Sequence, residues 1–345
     1  MPFAPVMERA LPDRNIVDTA SGDSLCSGMS LRIATFNLEN LGKDALAQRI
    51  AALRPVLMRL EADVLCLQEV NAQHVQGGGR AFEALSALTA NTPYASHHMV
   101  STIQPDGGPL DVHNLVILSC FPILAFGQLR HDLVDRPLYR TVTAIPPPSE
   151  AAAVEWERPL LHAEIALEGG KSLHVINLHL RAPLAAPIPG QKQSPLCWRT
   201  AAGWSEGFFL AAIKRAGQAL EARLLVDQIF DTNPEALIVV AGDLNADVHE
   251  MPLRILQADP MDTGNPDHAA RALSPVEDMV PEERRFTVRH HARALVLDHL
   301  LVSPSLRARL VAADILNEGL QDEVDAAETG ALGGSFHAPL IAAFA

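Results

Sequence analysis

The sequence predicts an α/β protein, and three observations carry that expectation. Short uninterrupted apolar runs, clearest at 237–241, read as strands buried on both faces. Between such runs lie stretches with apolar residues three and four apart, the spacing of one helix face. Two further runs are joined through Gly169-Gly170 at hairpin distance.

Taken in order, residues 1–30 mix Pro, Ser, Asp and Gly and lack a basic start followed by an apolar segment. They read as a flexible leader, with Met29 as an alternative start and a cytoplasmic location by default. Residues 31–40 form the first strand, with Asn37 and Glu39 on one face and Phe36 and Leu38 on the other. Leu46, Ile50, Leu53, Leu57 and Leu60 mark a helix that Pro55 should kink or split. A second buried strand, 63–69, delivers Gln68 and Glu69 to its end. A short helix at 81–89 and an apolar strand from Asn114 to Ser119 follow. A loop then carries Arg130, His131, Arg136 and Arg140.

In the hairpin of 160–167 and 173–180, Asn177 and His179 share one face. Residues 182–205 are a Pro-rich insertion with Trp198 and Trp204, suited either to shaping a substrate site or to covering the core edge. The longest helix, 204–230, places Phe209, Ile213, Ala216, Leu220 and Leu224 on one stripe. The run at 237–241 then ends in Gly242 and presents Asp243 and Asn245 on one face. A short helix at 252–257 and a basic cluster from Arg284 to Arg293 precede a strand at 295–303 that contains Asp298. His337 stands just before the last strand. We read residues 31–345 as a single domain, because no linker long enough to separate modules interrupts them.

Composition narrows the class. Apolar residues make up 48% of 345, enough for a full core, and no apolar run is long enough to cross a bilayer. The net charge of −14 repels polyanions at long range, which disfavours long nucleic acids and anionic membranes as partners. The four cysteines include no CxxC pair. Cys66 and Cys120 lie in apolar runs and are expected to be buried free thiols, with neither a zinc site nor a disulfide framework.

The chemistry lies in where the polar residues fall. Asn37, Glu69, Asn177 with His179, Asp243 with Asn245, Asp298 and His337 all stand at the ends of apolar strands, as they would if the strands converged on one polar pocket. A carboxylate beside an amide suits the aiming of a water molecule. A buried Asp298 needs a positive or donor partner, for which His337 is the candidate.

These stretches, Thr35-Phe-Asn-Leu-Glu39, Leu67-Gln-Glu-Val70, Val116-Ile-Leu-Ser119, Asn177-Leu-His179, Gly242-Asp-Leu-Asn245, Leu297-Asp298 and Ser335-Phe-His-Ala-Pro339, resemble in order the motifs of the endonuclease/exonuclease/phosphatase family. The resemblance spans about residues 31–345. It implies a four-layer α/β sandwich of two mixed sheets packed face to face and flanked by helices. It also implies Mg2+-dependent phosphate-ester hydrolysis, with Mn2+ as a substitute. On this resemblance Glu69 is the principal metal ligand, supported by Asn37. Asp243 aims or deprotonates the attacking water, and Asn245 holds the water or a phosphate oxygen. His179 and His337 contact the scissile phosphate as imidazolium donors, and Asp298 orients His337. Asn177, Asn114 and Arg140 are assigned to substrate binding, with the two arginine-bearing loops as a local phosphate cradle.

One position departs from the family pattern: Phe336 stands where an Asp is usual. This leaves two readings open, a hydrolase of a small phosphodiester or nucleic acid, and a degenerate member that binds a phosphorylated ligand without turnover.

Overall fold

The computed structural model describes residues 15–16, 30–195, 197–324 and 333–345. In chain order, the strands of its two large sheets begin with β1 (Asn15–Ile16), β2 (Leu31–Leu41), β3 (Val64–Val70), β4 (His98–Ser101), β5 (Asn114–Ser119) and β6 (Ile123–Leu129). They continue with β7 (Leu160–Ala166), β8 (Ser172–His179), β9 (Leu237–Asp243), β10 (Ser274–Pro275), β11 (Asp298–Val302), β12 (Leu310–Ile315) and β13 (Leu340–Phe344). One sheet runs β1-β6-β7-β8-β9-β11-β10, and the other β12-β13-β2-β3-β5-β4.

Each sheet has one parallel pair at its centre, β2 with β3 and β8 with β9. A parallel neighbour requires a crossover, supplied by α1 (Leu46–Leu60) in the first case and, beyond the short helix α2 (Glu83–Thr89), by α3 (Ala201–Thr232) in the second. Ile33, Cys66, Leu115, Val175, Val239 and Leu300 interdigitate between the sheets. Leu53, Leu57 and Leu60 of α1 cover the outer face of one sheet. Ala219, Ala222, Leu225 and Ile229 of α3 cover the other. The result is four layers, in which each fully buried aliphatic side chain contributes about 2 kcal/mol.

Several elements differ from the expectation. Pro55 lies inside the single helix α1, whose buried leucines continue on both sides of it. The α3 stripe named above is not the buried one, since Phe209 and Leu220 are exposed. The face that packs instead uses Gly203, Gly207, Ala211, Ala219 and Ala222, whose small side chains let the helix approach closely. Within the expected leader, Asn15 and Ile16 form an edge strand against Phe126 and Ala125; the rest of 1–29 lies outside the described residues. Cys66 is a buried free thiol, but Cys120 is disulfide-bonded, contrary to expectation. The strand expected at 295–303 narrows to β11, because Arg293–Leu295 pairs instead with Val288–His290 in a separate hairpin.

Candidate active site

Moving along the inter-sheet core toward one edge, apolar side chains give way to buried polar ones. Thr35, Gln68 and Asn177 form the first polar layer, all fully buried. Gln68 donates to Asn177 Oδ1 at 2.7 Å, and Asn177 Nδ2 donates to the carbonyls of Leu67 and Val116, each at 3.0 Å. The ladder of β3 shifts register between Leu67 and Val70, so the Asn177 amide takes up a carbonyl at that irregularity.

The next layer is the pocket itself. The parallel strands β2, β3, β8 and β9 end here, while β11 begins here because it runs antiparallel to β9. Both β2 and β3 bulge at this edge, and Glu39, Asn40 and Glu69 take left-handed backbone at φ 48°, 52° and 58°. Such backbone costs roughly 1–3 kcal/mol per non-glycine residue, and cores do not tolerate it without compensation. Main-chain donors provide part of that here: Asn40 N donates to Glu69 Oε2 at 2.9 Å, and Phe336 N to Glu39 Oε2 at 2.9 Å. On the β9 side, Gly242 is required by space as well as by its φ of 139°, since a Cβ there would lie 1.9 Å from the Leu178 carbonyl oxygen.

Asp243 is the centre of the pocket. It accepts from Asn37 Nδ2 at 3.0 Å, Asn245 N at 2.9 Å and Asn245 Nδ2 at 3.1 Å. His179 Nε2 lies 3.3 Å away and His337 Nε2 3.9 Å away. Burial pushes the Asp243 carboxyl up to about 7, against the lowering by His337 and its hydrogen-bond donors. His337 Nδ1 stands 2.8 Å from Asp298 Oδ2, and Asp298 is fully buried. Burial would lower His337, but the Asp298 and Asp243 carboxylates outweigh it and raise it to about 10. Its main chain is held by Ser335, whose hydroxyl accepts from His337 N and donates to the Asn37 carbonyl.

The loop after Asp243 is clamped by two cations. Arg215 of α3 donates to the Asn245 carbonyl at 2.6 Å and pairs with Glu250. His299 donates to the Ala246 carbonyl at 2.8 Å and pairs with buried Glu277.

The structure brings Asn37, Glu69, His179, Asp243, Asn245, Asp298 and His337 together, but several sit differently from the expectation. Asn37 Oδ1 is occupied by Glu39 N–H at 2.8 Å, so the amide turns its nitrogen, not its oxygen, toward Asp243 and Glu69. It bridges carboxylates as a donor rather than offering an oxygen to a metal. His179 is buried, and desolvation, with Arg158 and His337 nearby, holds it well below its ordinary value. Burial thus disfavours its imidazolium form. Asn245 spends both amide hydrogens on Asp243 and the Leu180 carbonyl.

Asn177 and Asn114 are wholly buried with both amide hydrogens donated to main chain, which leaves neither a donor for substrate. Arg140 is exposed just past the Leu138–Tyr139 strand. Three of the other arginines expected in the cradle are engaged elsewhere. Arg136 pairs with Glu155, Arg284 with Asp314, and Arg285 donates to the carbonyls of Asp278 and Val280.

Three residues join the pocket that sequence reasoning did not assign to it. Glu39 reaches it beside Glu69; burial and, in smaller part, Glu69 raise its carboxyl. His113 Nδ1 lies 3.9 Å from Glu69 Oε2. Arg158, its charge disfavoured by burial but supported by Glu69 and Asp243, lines a cavity of ≈ 180 Å³ with His179, Arg181, Ala182 and Gln218. A charged residue two positions before the strand next to the Asn177–His179 strand was the available signal for Arg158.

Asp243, Asp298 and His337 offer ligand atoms within 4.8 Å of one another. In that cluster His337 Nδ1 is already engaged with Asp298 Oδ2 at 2.8 Å. Glu39 and Glu69 fit a divalent ion better. They are two carboxylates crowded at a half-buried rim, an all-oxygen set of the kind Mg2+ prefers.

Comparison with known proteins agrees with this architecture. The model of the Endonuclease/Exonuclease/phosphatase family matches residues 34–322. The chain belongs to that family. Similar solved structures include truncated TDP2 of Caenorhabditis elegans, at 15% identity and TM-score 0.52, covering 92% of this chain and 97% of that one. A family protein of Bacteroides thetaiotaomicron aligns at 14% identity and TM-score 0.55, covering 91% and 94%. A third, from Bacteroides vulgatus, aligns at 16% and 0.53, covering 92% and 99%. A search of curated proteins finds no match.

Proposed function

We propose that this chain is a divalent-cation-dependent phosphoesterase that hydrolyses a phosphodiester by in-line attack of water. The observation that carries the reading is the Asp298–His337–Asp243 series, a buried carboxylate bonded to an imidazole that stands beside a second buried carboxylate. An apolar core gains nothing from burying two carboxylates there, whereas phosphoryl transfer needs both a base and a fixed positive charge. Asp243, at about 7, sits in the range where a general base works best at neutral pH. Asn37 and Asn245 fix its orientation.

His337, held protonated by Asp298, stabilises the charge that develops on the phosphoryl oxygens. His179, whose charged form burial disfavours, places Nε2 3.3 Å from Asp243, and Arg158 adds a second positive group at the pocket wall. Glu69 and Glu39 would hold the cation. When bound, it neutralises negative charge on the phosphate and lowers the barrier to attack.

The binding-only reading rests on Phe336. Against it, the Phe336 main chain anchors Glu39, which places a carboxylate at the same rim from the opposite strand. The net charge of −14 favours a compact phosphodiester over long duplexes. Hydrolysis of a panel comprising bis-p-nitrophenyl phosphate, plasmid DNA, RNA and phospholipids, with Mg2+ and with EDTA, tests the proposal. It requires turnover with Mg2+ that EDTA abolishes; a folded protein inert on every substrate would favour ligand binding alone.

A further inference from the structure

A lobe stands beside this pocket that the chemistry above does not use. It is built from residues 133–156, which lead into Arg158, and from 182–195 and 197–212, which leave just after His179. The helix α3 supports it. Arg215 bonds the Asn245 carbonyl at the pocket edge, so the 14 helical residues before it, from Ala201 on, reach about 20 Å past that edge. The two segments fold onto this projecting end around a small core of Ala144, Val154, Ala186, Ile188 and Leu210. Glu206, buried, accepts from the main chain of Val142 and Thr143 and ties one segment to the helix. The lobe is an ordered part of the fold.

Its surface is unlike the rest of the molecule. Of the 16 large apolar residues exposed among the described residues, 7 lie here, including all three exposed aromatics. Leu138, Val142 and Leu184 are 73%, 74% and 69% exposed. Trp204 and Phe208 stack on each other at 5.5 Å on one flank of the helix, and Phe209 meets Tyr139 on the other. Charge separates the lobe from its surroundings as well. Its acidic residues, Asp135, Glu150, Glu155 and Glu206, are matched in number by Arg136, Arg140, Lys192 and Arg199, while the whole chain carries −14. Arg140 and Arg199 are exposed and enter no ion pair among the described residues.

We infer that this lobe docks on a zwitterionic phospholipid surface and presents a lipid phosphodiester to the neighbouring pocket. The inference rests on the phosphoesterase reading for its substrate, but the docking stands on the lobe alone. Exposed aliphatic and aromatic side chains enter the acyl boundary, while flanking arginines meet headgroup phosphates. A neutral lobe gives an acidic protein one face that such a surface does not repel. Protruding Leu and Val also argue against single-stranded nucleic acid, which is held by stacking and by a basic groove. Leu184 lies in both regions, exposed on the lobe yet lining the cavity with Arg158 and His179.

Flotation with phosphatidylcholine vesicles, read together with tryptophan emission, tests the inference. Wild type should float with the vesicles, at high salt as well, and show a blue shift that Trp204→Phe removes. A Leu138→Asp/Val142→Asp double variant should partition roughly tenfold more weakly for each substitution, yet hydrolyse soluble bis-p-nitrophenyl phosphate as fast as wild type. Wild type that stays with the aqueous phase would overturn the inference. So would a double variant that floats equally well, or one whose only change is dissociation of a dimer by light scattering. Vesicle binding without hydrolysis of any phosphodiester would uphold the docking and reject the phosphoesterase reading.

Discussion

The pocket is made by two strand-helix-strand units that are alike in topology and different in chemistry. In the unit β2-α1-β3, the carboxylates of Glu39 and Glu69 stand at a partly exposed rim on left-handed backbone, held by main-chain N–H groups. In the unit β8-α3-β9, Asp243 is buried, in extended strand, and surrounded by side-chain amides and imidazoles. The first arrangement leaves carboxylate oxygens to share with a cation. The second raises a carboxyl to about 7 and, with Asp298, an imidazole to about 10, which equips it to move and hold protons. On the proposed reading one architecture supplies both functions, because burial, not topology, decides which charge state each residue prefers.

Substitutions can separate the two units. The largest effect is expected for Asp243→Asn, which should lower kcat by about 10²–10⁴-fold while Mn2+ affinity, followed by paramagnetic resonance, stays near wild type. Glu69→Gln should do the reverse, weakening Mn2+ binding by roughly tenfold or more, with activity partly restored at high cation concentration. If both variants lost cation binding equally, the division between the units would fail.

Asp298→Asn probes the proton unit through pH. His337 has its native value raised from 6.5 to about 10, so its stabilising contribution is full below 6.5 and is lost as pH rises through about 10. The high-pH limb of the rate profile should therefore lie near 10 in wild type and move toward neutrality in the variant. An unmoved limb would remove His337 from the account.

A smaller, structural effect is expected at the polar layer beneath the pocket. Asn177→Ala leaves two carbonyls and the Gln68 amide without their partner and should cost about 1–3 kcal/mol by urea denaturation. Phe336→Asp should change least, tightening Mg2+ binding a few-fold by titration calorimetry if Glu39 already supplies the rim carboxylate.

How far the site was legible from sequence follows the same physics. A polar residue ending an apolar strand is visible in one dimension, so Asn37, Glu69, His179, Asp243 and Asp298 could all be picked out, while the two sheets were anticipated from the family resemblance of the ordered motifs. What each residue does depends on partners that sequence spacing does not reveal. Asn177 and Asp243 look equivalent along their strands, yet Asn177 faces a shifted register in the opposite sheet and becomes a structural bolt. Asn37 changes role because Glu39 N–H captures its oxygen. The buried face of α3 was misread because glycines and alanines, weak in any apolar count, are what let that helix pack closely.

The most direct test of the central claim is hydrolysis of bis-p-nitrophenyl phosphate by wild type and Asp243→Asn, each with Mg2+ and with EDTA. The account predicts turnover only for wild type with Mg2+, and unchanged Mn2+ binding in the variant. Equal turnover by the variant, or turnover that survives EDTA, would contradict the claim that a buried Asp243 and a cation at the Glu39–Glu69 rim act together.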